Sequence, residues 1–485
     1  MSRSPTLTRT KALVQHMMQS TSTSARPATD PEPPVLFEEN GSIRRYILNR
    51  PKKLNALDEP MINLLRPKLE QWENSELCRI VIGTGAGRGF CAGGDVERVV
   101  KDGADERTRP SAINYFKLEF ELDYQLATLQ KPYVAICDGF TMGGGVGLLA
   151  HAQFRIATEK TKFAMPETKI GYCPDVGANY FLPKLDGAIG TYLALTGASL
   201  DGRAVFEHGL ATHFVPSSRV PQLLGELASF DEPTPERINS TIEEFYGERS
   251  ADEQGNAIVG DIRVAVDTAF GRSSVEKILE SLTELSGSSS EAVATWAKAT
   301  LAELNLRSPT SLVVALEAVR RGKQMSLGEV LQMEMGIATA FLSGGSPDFK
   351  TGVTAVLIDK IRDARPAWSP NTLEEINQTE LIKSFFDSDS QFLNNSPSLE
   401  LPQERWIGAQ EHGGSMKFAL PSEEEIERIV RGTHAQSSSM AYSLDDLINK
   451  FSRMMSQKHG VEDKIREVAA RRCVVTEDRW LSWKS

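Results

Sequence analysis

The sequence has few of the features that would place it in a membrane, around a metal ion or on nucleic acid. It contains only five cysteines in 485 residues, widely spaced and without a CxxC pair, which argues against a zinc site or a disulfide framework and suits a reducing compartment. No apolar run approaches the length of a transmembrane helix. The formal net charge is −11, so we expect no direct nucleic-acid partner, and any bound phosphate must meet a local basic site.

Acidic residues are absent from the first 29 positions. This stretch is rich in Ser and Thr and contains four basic residues, Arg3, Arg9, Lys11 and Arg26. The composition is typical of a mitochondrial transit peptide, and a disordered tail is the alternative. We predict a transit peptide and proline-rich linker over residues 1–34, and therefore a location in the mitochondrial matrix.

Two nucleotide-binding motifs are also missing. Gly83-Thr84-Gly85 lacks the third glycine of a dinucleotide fingerprint, and no helix can begin cleanly through Gly93-Gly94. The chain has no GKS or GKT sequence either, which excludes a phosphate-binding P-loop.

The most informative stretch is the glycine run at residues 143–145. It follows an apolar segment, residues 133–137, that is typical of a buried strand, and it precedes a predicted helix at 146–152. A strand that turns through glycines into a helix leaves unpaired backbone N–H groups pointing at one spot, which attracts negative charge. Glu167, a short distance downstream, is the acid that we expect to lie opposite this spot.

Turn and cap signals organise the residues before this stretch. Asn40-Gly41 predicts a two-residue hairpin, and Asp58 predicts the N-cap of a helix to about residue 72. Pro67 implies a kink in that helix or a break into two short helices. Residues 84–94 are interpreted as a glycine-rich loop, with Asp95 as the cap of the next helix.

Strands and helices alternate to about residue 215, which indicates an α/β arrangement, and residues 221–385 are mostly helical. Residues 387–485 form a distinct tail. It begins with a linker rich in Ser, Asn and Pro and ends near Trp480 and Trp483. Three helices are predicted in it, at residues 422–430, 443–455 and 461–472.

Four segments, at residues 49–57, 90–95, 139–147 and 166–171, resemble the enoyl-CoA hydratase/isomerase (crotonase) superfamily. Further matching segments lie at 174–177, 308–312 and 355–360. Taken in order over residues 35–385, the segments are most similar to those of the 3-hydroxyisobutyryl-CoA hydrolases of valine breakdown. The resemblance implies a ββα spiral core at 35–225, a helical part of the hydrolase at 226–386, and an acyl-CoA substrate. It implies no cofactor, because CoA is part of the substrate. The tail at 387–485 resembles the extension of fungal members.

The resemblance also assigns catalytic roles by matching position. The backbone N–H groups of Gly94 and Gly144 would form an oxyanion hole around the thioester oxygen. Glu167 would act as the nucleophile or as a base on water, with Asp175 as its partner in the acyl pocket. Glu119 would be a further substrate-contacting carboxylate. Taken alone, Asp175 also fits a loop cap and Glu119 a surface charge on a helix.

Contacts to CoA are implied near the first two segments. Lys52 and Lys53 are candidate partners for the phosphates, although each also fits a solvated surface charge. Leu54 and Ala92 are candidates for backbone contacts to pantetheine and adenine.

One absence bears on the reaction. Hydratases of the superfamily place a second catalytic Glu where this chain has Gly147. Adding water across a double bond needs two acid/base groups, whereas thioester hydrolysis needs one carboxylate and an oxyanion hole. We therefore predict hydrolysis, with another acyl-CoA reaction of the superfamily, such as hydration or isomerisation, as an alternative.

A second alternative comes from the tail. Some fungal and plant relatives are proteins of the mitochondrial small ribosomal subunit. Residues 387–485 could serve ribosome association or self-association, or could fold back on the enzyme's own core.

Overall fold

The computed structural model describes residues 32–250, 253, 255–361, 364–402, 415–437 and 441–484. The predicted transit peptide lies almost wholly outside these residues. Pro34–Ser485 forms one compact unit, and the boundaries that we placed at residues 225 and 386 stay predictions from the sequence.

Two sheets form the first half of the fold. Their orders are β1-β2-β3-β5-β7-β10 and β4-β6-β8-β9, with a separate β11-β12 hairpin near the end of the chain. From β3 to β8, successive strands alternate between the two sheets, so the chain winds as a spiral of paired strands. The described strands are β1 Val35–Asn40, β2 Ile43–Leu48, β3 Ile80–Gly85, β4 Gly89–Cys91, β5 Tyr133–Cys137, β6 Phe140–Met142, β7 Phe154–Ala157, β8 Lys162–Ala164, β9 Leu200–Asp201, β10 His213–Phe214, β11 Cys473–Val475 and β12 Leu481–Trp483.

Helices follow the strand pairs and make up most of the second half. None of the described helices is long and apolar enough to cross a bilayer. The described α-helices are α1 Glu59–Glu73, α2 Val96–Gly103, α3 Arg109–Ala127, α4 Gly144–Ala150, α5 Ala178–Phe181, α6 Ile189–Thr196, α7 Arg203–Glu207, α8 Val220–Ala228, α9 Pro235–Glu244, α10 Gly260–Phe270, α11 Val275–Leu285, α12 Glu291–Asn305, α13 Pro309–Gly322, α14 Leu327–Leu342, α15 Asp348–Val353, α16 Gln378–Phe386, α17 Glu423–Val430, α18 Leu444–Met454 and α19 Val461–Arg472.

The local signals before residue 80 are mostly confirmed. The predicted hairpin is present, but Asn40 pairs with Ile43, so its two-residue turn is Gly41-Ser42, one residue later than predicted. The Asp58 side chain accepts the Met61 N–H at 3.1 Å, as expected of an N-cap. The predicted break at Pro67 is wrong, because α1 runs through it without interruption. The loss of one internal hydrogen bond is offset by the burial of an apolar stripe on both sides of the proline.

Two expectations for residues 84–95 need correction. The glycine-rich loop contains a strand, β4, which pairs in parallel with β6, and Phe90 and Cys91 are fully buried. Asp95 precedes α2, but its side chain does not cap that helix. Its carboxylate accepts instead from Arg50 at 3.0 Å and Lys53 at 2.8 Å, and in these two bonds both the donor and the acceptor are charged.

The larger sheet is apolar on both faces. Neighbouring residues of β3 show the alternation, since Val81 belongs to the main core and Ile80 and Ile82 to a second core. The second core lies against α8 through Leu223 and Leu227. Covering both faces explains why the central strands have almost continuous apolar sequences.

The described part of the tail packs on the body of the chain. The three helices predicted in it are present, and their apolar side chains belong to the main core, so the interpretation that the tail folds back is confirmed. The β11-β12 hairpin was not predicted. The tail side chains buried in the main core include Leu420, Ile426, Ile429, Leu447, Phe451, Ile465, Val468 and Leu481.

Ion pairs join the tail to the same body. Glu423 at the start of α17 lies 3.6 Å from Arg263 of α10, and Arg472 reaches Asp267 of the same helix at 2.8 Å. Lys464 of α19 pairs with Asp186, which lies 11% exposed. Partly buried pairs with several donors fix the register of packed helices more than exposed pairs do.

This packing predicts a large effect from a single truncation in the tail. Phe451 of α18 is 1% exposed, and Phe451→Ala should lower the free energy of unfolding by about 3–5 kcal/mol in one cooperative transition. Met454 lies on the same helix and is 38% exposed, so Met454→Ala is the matched control and should change stability by less than about 0.5 kcal/mol. Urea unfolding monitored by tryptophan fluorescence measures both. Equal, small effects would show that the tail is not part of the folding unit.

Candidate active site

The two predicted oxyanion donors lie next to each other. A Cβ atom built on Gly144 would lie 3.3 Å from the backbone nitrogen of Gly94. Neither N–H donates a hydrogen bond to any residue that the structure describes. Gly143 supports this turn with a φ of +48° and an N–H that donates to the Ala164 carbonyl at 3.4 Å, so the pairing of β6 with β8 sets where α4 begins.

Glu167 lies against the same turn. Its side chain is 6% exposed, and a Cβ on Gly143 would come within 2.9 Å of its Oε1 atom. The residue begins a 3₁₀ turn, and its carbonyl accepts the Tyr172 N–H at 3.0 Å. Oε2 has no hydrogen-bond partner among the described residues, so it is available to a ligand. The geometry places this acid opposite the glycine turn, as expected from the sequence.

Glu119 comes from the middle of α3 and is 2% exposed, which rules out a surface helix charge. A Cβ on Gly144 would overlap its Oε1 atom. That oxygen has no hydrogen-bond partner among the described residues. Glu119 therefore lies beside Gly144, one of the two predicted oxyanion donors.

Asp175 is carried by a strained loop. It is 6% exposed, and the next residue, Val176, has a φ of +55°, which is unusual for a β-branched side chain. The His151 ring lies 3.1 Å from the Val176 carbonyl through Nε2. Strained backbone of this kind persists only when its surroundings hold it.

The sequence analysis missed the side chain that holds this loop. Glu334 of α14 is 1% exposed and accepts the Gly177 N–H at 2.7 Å, the Asn179 N–H at 3.2 Å and the Asn179 side-chain amide at 2.8 Å. The sequence signal for this residue is a single acid on the apolar helix face that includes Leu331 and Met335. Glu334 positions the loop and does not itself face the glycine turn through a described contact.

Five buried carboxyls, those of Glu119, Asp123, Glu167, Asp175 and Glu334, lie in this part of the core, and none has a paired cation among the described residues. Burial raises the pKa of Asp175 to about 7 and that of Glu334 to about 8. Burial, and then repulsion from neighbouring carboxyls, holds the pKa values of Glu119, Asp123 and Glu167 well above their ordinary range. No group of three or more His, Cys, Asp and Glu side chains in the described residues is arranged to hold a metal ion.

The candidate CoA contacts lie on the approach to Gly94. The Ala92 N–H donates to the Leu54 carbonyl at 3.0 Å, so these two backbone groups satisfy each other and a ligand would meet their other atoms. Leu54 has a φ of 49° at the end of a short 3₁₀ turn that contains Lys52 and Lys53. Lys53 is half exposed and pairs with Asp95. The structure therefore places Leu54 next to Ala92, and places Lys52 and Lys53 in the 3₁₀ turn that leads to Leu54.

The enoyl-CoA hydratase/isomerase family matches residues 43–386. The chain belongs to this family. The small ribosomal subunit protein mS47 of Neurospora crassa is 39% identical over 98% of this chain and 94% of its own length. The mitochondrial 3-hydroxyisobutyryl-CoA hydrolase of Homo sapiens is 41% identical over 81% of this chain and 98% of its own.

Solved structures of the enoyl-CoA hydratase/isomerase family share the fold. A carnitinyl-CoA dehydratase from Mycobacterium thermoresistibile has a TM-score of 0.65 at 31% identity, covering 76% of this chain and 98% of its own. An enoyl-CoA hydratase from Rhodobacter sphaeroides has a TM-score of 0.61 at 29% identity, covering 73% of this chain and 97% of its own. The predicted α/β crotonase fold with a helical C-terminal region is confirmed.

The carboxyl cluster predicts that the protein loses stability as the pH rises above about 6.5. The folded state holds protons on Asp175 and Glu334 up to about pH 7 and 8, whereas the unfolded chain has released them near the ordinary values of 3.8 and 4.5. Because the folded state binds more protons, the free energy of unfolding falls with rising pH. Lys184, whose pKa burial lowers to about 7, opposes this trend.

Thermal unfolding of the native protein and of Asp175→Asn between about pH 6.5 and pH 8.5 measures this effect. The midpoint of the native protein should fall across this range, and the midpoint of Asp175→Asn should fall less. A midpoint that rises across this window in the native protein would contradict the prediction. Below this window the fall should be shallower, because three buried histidines, whose pKa values burial lowers to about 4, resist the charge that the unfolded chain accepts and so offset part of the carboxyl effect. They are His151, His208 and His213.

Proposed function

We propose that this protein is a mitochondrial enzyme that hydrolyses the thioester of 3-hydroxyisobutyryl-CoA to 3-hydroxyisobutyrate and CoA. The observation that carries the proposal is the buried Glu167, which lies against Gly143 and keeps one carboxylate oxygen without a described partner, next to the unbonded N–H groups of Gly94 and Gly144. The name and mitochondrial location of the human relative support it, since that relative matches this chain over 98% of its own length.

The reaction begins with the thioester oxygen between the N–H groups of Gly94 and Gly144. As a nucleophile adds to the carbonyl carbon, negative charge develops on that oxygen, and each donor lowers the barrier by about 3 kcal/mol. The C–S bond then breaks, and CoA leaves as a thiol after taking a proton. No cofactor takes part, because CoA belongs to the substrate.

Two routes fit the position of Glu167. Its carboxylate can attack the carbonyl carbon to give a mixed anhydride, which water then hydrolyses to regenerate the acid. It can instead take a proton from a water that attacks the same carbon. Both routes require the ionised form, and the raised pKa makes that form more basic than an exposed glutamate.

Glu119 and Asp175 are suited to the acyl group. Both are buried, and each raises the energy of charge on the other, so the pair favours holding a proton between them. A 3-hydroxyl group can donate to whichever carboxyl is ionised. A hydroxyl partner in this pocket favours a 3-hydroxyacyl substrate over a simple acyl chain, because the latter would leave the buried acids unpaired.

Glu167→Ala should lower thioester hydrolysis by at least about 10³-fold while leaving the thermal midpoint within a few degrees, because the variant loses the reacting group and no hydrogen bond of the fold. Free thiol release from a panel of acyl-CoAs measures it, with 3-hydroxyisobutyryl-CoA expected to react fastest. Lys298→Ala, at an exposed position of α12 outside the site, is the matched control and should keep the native rate. Hydration of crotonyl-CoA at a rate comparable to hydrolysis would overturn the proposal.

A second candidate function is membership of the mitochondrial small ribosomal subunit. It is favoured by the Neurospora crassa relative, whose match over 98% of this chain includes almost the whole tail. The described tail also presents apolar side chains to solvent on its hairpin, where Val474 and Val475 are 53% and 62% exposed. The two valines are consecutive in β11, so each offers an apolar side chain on a different face of the hairpin.

Deleting the tail at residue 387 is not a clean test, because it would remove side chains of the main core. Val475→Asp changes only the hairpin surface. We expect the native protein to sediment with small ribosomal subunits from a mitochondrial lysate at low salt, and Val475→Asp to shift to the free fraction while keeping thioesterase activity. The ribosomal role fails if the native protein never sediments with these subunits.

A further inference from the structure

Asp123 is a buried acid that the proposed reaction does not use. It follows Glu119 by four residues on α3, so both project from one face of the helix. Asp123 is fully buried, and neither of its carboxylate oxygens has a hydrogen-bond partner among the described residues. An unpartnered buried carboxyl is costly, so its position calls for a physical account.

The carboxyl of Asp123 fills the space beside Gly147. A Cβ built on Gly147 would lie 2.6 Å from Oδ1, 2.6 Å from Oδ2 and 2.7 Å from Cγ of Asp123. These are the three nearest atoms, and real Cβ atoms essentially never approach any atom so closely. Any side chain at position 147 would therefore displace Asp123.

No backbone requirement explains glycine at this position. Gly147 lies inside α4, and its φ is not in the left-handed region that glycine alone adopts readily. A helix interior favours alanine over glycine. The neighbouring Asp123 is therefore what keeps position 147 without a side chain.

Position 147 lies close to the oxyanion donors because of where α4 begins. Gly144 carries an oxyanion donor at the first turn, and residues three apart share one face of a helix. An acid at 147 would thus lie one turn from the thioester, on the same face. Hydration of a 2-enoyl thioester needs such a second group: a base takes a proton from water as its oxygen bonds to C3, and an acid delivers a proton to C2.

We propose that Asp123 is a residue that determines reaction type, because it excludes any side chain, and hence a second acid, from position 147. The structural part of this inference stands on the distances alone. Its consequence for the reaction rests on the proposed thioester hydrolysis.

A double-mutant cycle tests the structural part. Gly147→Ala in the native background should lower the thermal midpoint by several degrees, because the new methyl group overlaps Asp123. In the Asp123→Ala background the same change should leave the midpoint unchanged or raise it, since the overlap is gone and alanine favours the helix. Equal effects of Gly147→Ala in both backgrounds would overturn the inference, and so would failure of the Asp123→Ala, Gly147→Ala double variant to fold.

Reaction type is tested by placing glutamate at 147. Asp123→Ala combined with Gly147→Glu should hydrate crotonyl-CoA at least tenfold faster than Asp123→Ala alone, whereas Gly147→Glu alone should show no gain. The double variant with Gly147→Gln is the matched neutral control and should not gain activity. A folded Glu double variant without any gain in hydration would overturn the role in reaction type.

The two proposals fail in different ways. Asp123→Ala should keep thioester hydrolysis within about threefold of the native rate, because Asp123 does not face the substrate. If the native protein releases no thiol from any acyl-CoA, the proposed function fails, while the stability cycle still reports whether Asp123 controls position 147.

Discussion

The site depends on the close approach of helix α4 to everything around it. A helix normally keeps its neighbours at the distance set by its side chains, and α4 has none where it meets the site. Each of its first glycines faces a different group, and a Cβ at any of them would collide with that group. The pairs are Gly143 with Glu167, Gly144 with Glu119, Gly145 with the Cys91 backbone, and Gly147 with Asp123. The absence of side chains on these residues thus lets Glu167 and Glu119 lie beside the pair of N–H groups, while Asp123 packs one turn further along α4.

This convergence has an energetic cost that the rest of the fold must offset. Carboxyls in an apolar interior stay protonated or repel one another, and both effects raise their pKa values. Strain adds to this cost, because Val176 occupies a backbone region that suits glycine. Glu334 and the large core on both sides of α14 hold the strained loop in place. Sites that need unfavourable charge placement commonly give up stability in this way.

The sequence predicts the parts of this arrangement that depend on local signals. The strand Tyr133–Cys137, the glycine turn after it and the acid Glu167 can all be placed because turn chemistry and periodicity act over a few residues. Strand β4 escapes prediction, since its pairing with β6 and not its glycine-rich sequence makes it a strand. Glu334 escapes too, because its partners are distant along the chain and only the packing of α14 brings them together. The role of Asp123 depends on a distance between two helices that no single-helix pattern contains.

The described part of the tail is an extension that packs as part of the fold. Its helices bury apolar side chains in the main core, and its ion pairs end on Asp186 and Asp267 of the body. One part of it, near residue 400, lies against α3: Tyr124 donates to the Pro402 carbonyl at 3.0 Å, and Glu121 accepts the Glu400 N–H at 3.0 Å. Helix α3 also carries Glu119 and Asp123 on its other side. Any partner that pulled on the tail would therefore act on the helix that supplies the buried acids, because a close-packed interior transmits displacement between contacting elements.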